Sequence, residues 1–189
     1  MHTRIDSAYL GDESRHLPIE ELERRLALLP PSPRDVGSVH LLVRRLDGGL
    51  RESPASVTLS VEGGMSGDSW SRDDDRSAEA QLTAVEARVA ALIANDQPLR
   101  LFGDQLFLDL DLSSANLPIG SRVRVGSALL EVTPKPHNGC SKYRARFGAD
   151  ALRFVARPDL RPRNFRGIYL RVITEGVVSA GDPAVVIRS

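Results

Sequence analysis

A single cysteine, Cys140, stands in a chain of 189 residues, which excludes an internal disulfide and any cysteine-rich zinc site. Aromatic residues make up only 5% of the chain, and this argues against the interleaved stacking platforms that hold single-stranded nucleic acid. Net charge is absent too: 25 Lys and Arg balance 25 Asp and Glu, so nothing draws the whole molecule to nucleic acid or to a membrane surface. No run approaches the roughly eighteen consecutive apolar residues of a membrane span, and the stretch MHTRIDSAYLGDESR has no apolar signal region. The expectation is a soluble, cytoplasmic protein with no membrane partner.

Familiar nucleotide and metal motifs are missing as well. The glycine-rich turn Glu62 to Trp70 is not followed by Gly-Lys-Ser or Gly-Lys-Thr, so it is no phosphate-binding P-loop. It also lacks the third glycine of a dinucleotide fingerprint, and Asp73, Asp74 and Asp75 do not have the spacing of a calcium loop.

What is present is charge segregation. Residues 134–171 hold ten Lys or Arg against Asp150 and Asp159, whereas residues 62–86 hold seven acids against Arg72 and Arg76. One face should therefore attract an anionic ligand. Hydrophobic periodicity predicts helices over 17–29 and 77–94. Strands are expected over 38–46, 56–61, within 101–112, over 121–133 as a pair meeting at Gly126-Ser127, weakly over 152–156, and over 167–173 and 177–187. Many short strands between glycine and proline turns, with few helices, predict a mainly β fold: a closed or nearly closed β-barrel with peripheral helices. Residues 36–188 would form it, and residues 1–35 would be an extension carrying a short helix.

The chemistry concentrates in PKPHNGCSKYRARFG, Pro134 to Gly148. Pro134 and Pro136 should end the preceding strand and leave Cys140 in a loop. Thiolate is the reactive and metal-ligating form of Cys, and nearby cations favour it. His137 is a candidate proton acceptor for that thiol. If 142–147 is extended, Lys142, Arg144 and Arg146 alternate onto one face and form an anion-binding patch. A hydrolase built on Cys140 and His137 lacks a recognisable third member of a triad.

The chain also resembles the MOSC domain family, the module at the carboxyl end of molybdenum cofactor sulfurases and in free-standing bacterial proteins. The resemblance is carried, in order, by Gly67-Asp68, Gly103-Asp104-Gln105-Leu106, Ile119 to Gly126, Leu129 to Thr133 leading to Cys140, Arg146-Phe147-Gly148, Gly167 to Val172, and Val177 to Asp182. It implies a barrel-like fold that binds the molybdenum cofactor (molybdopterin), with sulfur-carrier or molybdenum-dependent oxidoreductase chemistry. Cys140 would be the metal ligand or sulfur carrier. Lys142, Arg144, Arg146, Asp104 and Asp68 would belong to the cofactor site, and the partners would be an anionic pterin and a redox or sulfur-donor protein. The alternative is a non-catalytic small-barrel module for nucleic acid or a protein partner.

Overall fold

The computed structural model describes residues 10–188. Alternation of side chains does most to shape it. In β8 (Arg122–Val125) and β9 (Ala128–Val132), Val123, Val125, Ala128, Leu130 and Val132 are buried, while Arg122 and Arg124 face water. Gly126, with φ 55°, makes the turn between them as expected; a Cβ there would meet the Val177 carbonyl oxygen at 2.5 Å.

Seven strands close into a barrel in the order β1 (Val36–Leu42), β12 (Pro183–Ile187), β8, β9, β10 (Ile168–Thr174), β6 (Leu82–Glu86) and β7 (Leu106–Asp109), with β7 returning to β1. All pairings are antiparallel except β6 with β7. A parallel step needs a crossover, and α2 (Ala87–Ala94) lies within it. Beside the barrel, β11 (Gly176–Ser179), β4 (Ser56–Ser60) and β5 (Gly64–Met65) form a small sheet, and β2 (Arg44–Arg45) pairs with β3 (Arg51–Glu52).

Two apolar clusters result. Val39, Leu82, Ala84, Leu106, Leu108, Leu130 and Leu170 belong to the barrel's own core. The second joins Val85 and Phe107, from β6 and β7, to the helices: α1 (Ile19–Leu28) through Leu22, α2 through Val89 and Ile93, α3 (Ser141–Phe147) through Tyr143 and Phe147, and α4 (Ala149–Ala156) through Phe154. The backbone N–H of Ile19 donates to the Asp150 carboxylate at 3.1 Å and ties the start of α1 to α4.

The barrel matches the expected fold class, but three local expectations need correction. The predicted helix over 77–94 is helical only from Ala87; Leu82–Glu86 is a barrel strand with all five residues buried. With the barrel interior on one side and the helical layer on the other, that strand loses the alternation that marks a half-exposed one. The expected strand at 152–156 is instead the second half of α4. The stretch 142–147 is not extended but helical, with Tyr143 and Phe147 one turn apart and both buried. Four helices, not two, therefore surround the barrel among the described residues, and none is long and apolar enough to cross a membrane.

Candidate functional site

Three connections distant in sequence converge around Asp104: the turn that leads into β7, the loop 134–140 between β9 and α3, and the turn Asn164–Gly167 that leads into β10. Asp104 is 1% exposed, and both its oxygens accept from the Arg166 guanidinium, at 2.9 and 3.2 Å. The same guanidinium lies 4.9 Å from the centroid of the Tyr143 ring. Gln105, next in the chain, locks β6 to β7 by accepting from both the N–H and the hydroxyl of Thr83 at 2.8 Å.

His137 packs into this cluster. Its Nδ1 is 3.6 Å from Asp104, too long for a hydrogen bond, and its ring centroid is 4.5 Å from that of Tyr169. Burial drives its pKa down to about 4; Asp104 opposes this, while Arg166 and Arg45 reinforce it. His137 is thus neutral at pH 7. Burial likewise pushes the Tyr143 phenol up, so it stays protonated. Gly167, at φ 105°, allows the close approach: a Cβ there would stand 2.4 Å from the Ala84 carbonyl oxygen and 3.0 Å from His137 Nδ1. Gly167→Ala should therefore destabilise the protein by about 1–3 kcal/mol and displace His137, read from the denaturant midpoint and the His137 NMR signals.

Cys140 is exposed and sits at the start of α3, where its carbonyl accepts from the Arg144 N–H at 3.1 Å. Arg146, Arg166 and Tyr169 lie within electrostatic reach of this residue. Among the described residues it has no hydrogen bond to His137, whose ring addresses Asp104 and Tyr169 instead. Behind the loop a cleft of about 440 Å³ is lined by His137, Gly139, Leu152, Arg161, Phe165 and Arg166.

Helical geometry separates the three cations expected to share one face. Lys142 and Arg144 are exposed, and neither side chain has an ion-pair partner among the described residues, whereas Arg146 is buried and donates to the Leu101 carbonyl at 2.9 Å. Asp68, fully buried, accepts from Arg45 Nη2 at 2.7 Å and from the Arg45 and Trp70 backbone N–H groups at 2.8 and 3.0 Å. Both candidate aspartates are therefore arginine partners.

A family model described as MOSC domain matches residues 60–185. The chain belongs to the MOSC domain family. Solved structures with the same fold include a hypothetical protein (19% identity, TM-score 0.62, covering 82% of this chain and 70% of that one). YiiM from Escherichia coli is similar at 21% identity and TM-score 0.51, with 79% and 70% covered. The YUAD protein from Bacillus subtilis is similar at 18% identity and TM-score 0.53, with 82% and 98% covered. Comparison with curated proteins gives no match.

In this MOSC protein, the sequence offered Cys140, His137, Asp104 and Asp68 as candidates, did not point to Arg166 and Arg45, and gave Tyr143 and Tyr169 no site role. Arg166 lies 62 residues from Asp104, so no local pattern joins them; the one hint is an Arg directly before a glycine that opens a strand.

Proposed function

We propose that this protein binds the molybdenum cofactor and that Cys140 supplies its thiolate ligand. The observation that carries the reading is an exposed lone cysteine, in a MOSC domain, on a loop whose base is fixed by the buried Asp104–Arg166 pair. Among the described residues no three His, Cys, Asp or Glu side chains are grouped to hold a bare metal ion. A metal already chelated by a pterin dithiolene asks less of the protein: one soft ligand, cations for the phosphate, and polar groups for the pterin edge. Cys140 is the soft ligand, and Lys142 and Arg144 are exposed cations without an ion-pair partner among the described residues. Polar groups are also at hand, because Tyr143 Oη, His137 Nδ1 and Arg166 Nε are buried without a hydrogen-bond partner among the described residues. The residues thus fit the group.

When bound, the cofactor supplies redox chemistry or sulfur exchange at molybdenum. Asp104 holds Arg166, Asp68 holds Arg45, and Arg146 braces α3 through the Leu101 carbonyl, so these three serve by positioning. Neutral His137 can offer a hydrogen-bond donor or acceptor within the site.

The test is expression in a host that makes the cofactor, beside a control molybdenum protein, followed by metal analysis and pterin extraction. Molybdenum and pterin should co-purify with the protein, and Cys140→Ser should lower the bound metal at least about tenfold with folding unchanged. Finding neither metal nor pterin while the control is loaded would reject cofactor binding; full retention by the serine variant would remove Cys140 as the ligand.

A further inference from the structure

A separate cleft of about 560 Å³ opens between α1, the proline-rich linker after it, and the stretch from α4 to Arg163. The cofactor reading makes no use of it. Leu26, Leu29, Val89, Phe154 and Leu160 give it an apolar wall, and six charged side chains line it: Glu23, Glu86, Asp111, Arg34, Arg157 and Arg163.

Four of those six charges pair with one another. Arg157 bonds Glu23, and Arg34 stands 3.8 Å from Asp111. Glu86 and Arg163 are left over. Glu86, the last residue of β6, is only 7% exposed, and among the described residues the one hydrogen bond to its carboxylate comes from the Ser32 hydroxyl. No cation forms an ion pair with it among the described residues. Burial raises its pKa, the Ser32 bond opposes this, and Asp111 adds to the rise. Among the described residues the Arg163 side chain has neither a carboxylate partner nor a hydrogen bond; its guanidinium lies 5.0 Å from the Phe165 ring centroid. Both residues line the cleft, so the two charges address the same space, and Arg163 and Arg88 oppose the rise in the Glu86 pKa.

We propose that this cleft binds a small zwitterion with an apolar body, the chemical class of a free hydrophobic amino acid: its ammonium on Glu86, its carboxylate on Arg163 and its side chain against Leu26, Leu29, Val89 and Phe154. A nearly buried carboxylate with one hydrogen bond is costly, and a ligand ammonium relieves that cost. A guanidinium is the planar partner of a carboxylate. A ligand of one sign fails at one end, because a lone cation meets Arg163 and a lone anion meets Glu86. The volume suits an amino acid, within the range of small-molecule sites.

The experiment is calorimetric titration of the full chain with L-leucine and L-phenylalanine, backed by NMR shifts of the Leu26 and Val89 methyls. Leucinamide, lacking the carboxylate, and 4-methylpentanoate, lacking the ammonium, are the matched controls. The amino acids should bind, and each single-charge analogue should bind at least about tenfold more weakly. Glu86→Gln and Arg163→Gln should each weaken binding by a similar factor. Glu86→Gln should also unfold at an equal or higher temperature than the parent, since it removes an unpaired buried charge, so loss of binding cannot be ascribed to loss of fold. Cys140→Ser should bind like the parent. No shift with either amino acid up to about 10 mM would overturn the assignment. Equal binding of the amide or the acid, or unchanged binding by the Glu86 and Arg163 variants, would overturn it too.

Discussion

Arg166→Met should destabilise the protein by about 3–5 kcal/mol, the range for breaking a buried ion pair from one side. The methionine fills much of the space but leaves Asp104, 1% exposed, with His137 at 3.6 Å as its one remaining ionisable partner among the described residues. Asp104→Leu alone should be damaging in the same way, stranding Arg166 over the Tyr143 ring. The double variant should lose much less than the sum of the two, because neither charge is then stranded. Urea titrations of the four proteins measure the coupling, and additive losses would show that the pair does not act as a unit. A second signature is independent of stability: Arg166 depresses the His137 pKa and Asp104 raises it, so in Arg166→Met the imidazole should titrate at a higher pH than in the parent.

Acid should weaken the fold through that same imidazole. Its folded-state pKa of about 4 lies below the ordinary 6.5, so between those values the unfolded chain binds the proton that the folded chain refuses. Stability rises with pH wherever the unfolded state holds more protons. The contribution is therefore complete above about pH 6.5 and falls away toward pH 4, a loss of about 3 kcal/mol. Glu86 works in the opposite sense, since a raised carboxyl pKa favours the folded state as pH falls. The clean measurement is consequently a difference, His137→Gln against parent, at pH 7.5 and pH 4.5. The variant should lose markedly less stability on acidification; parallel curves would mean that His137 is solvated.

How much could be read from the residues depended on whether an element keeps one face in water. The β8–β9 pair, with Arg122 and Arg124 against Val123 and Val125, declares itself because half of it is wet. Leu82–Glu86 does not, since both of its faces are buried and its apolar run continues into a genuine helix. In α3 the alternation of Lys142, Arg144 and Arg146 suggested a strand, while the stronger signal lay in the apolar residues: Tyr143, Phe147, Ala151 and Phe154 repeat at helical spacing through α4. Cys140 was legible as a candidate because it is unique and flanked by turn formers. Arg45 and Arg166 were not, because they lie 23 and 62 residues from the aspartates they pair with.

The closure of β1 on both β7 and β12 also bears on the order in which the chain is synthesised. Val36 opens the first barrel strand to be made, yet its partner Val185 lies in the last, β12. Until then β1 and β8 each lack the neighbour that β12 provides, so two strand edges stay open to other chains. Pairings this distant also close slowly. Native burial of the β1 edge, and with it the finished barrel, is thus reserved for the moment after translation has passed Ile187.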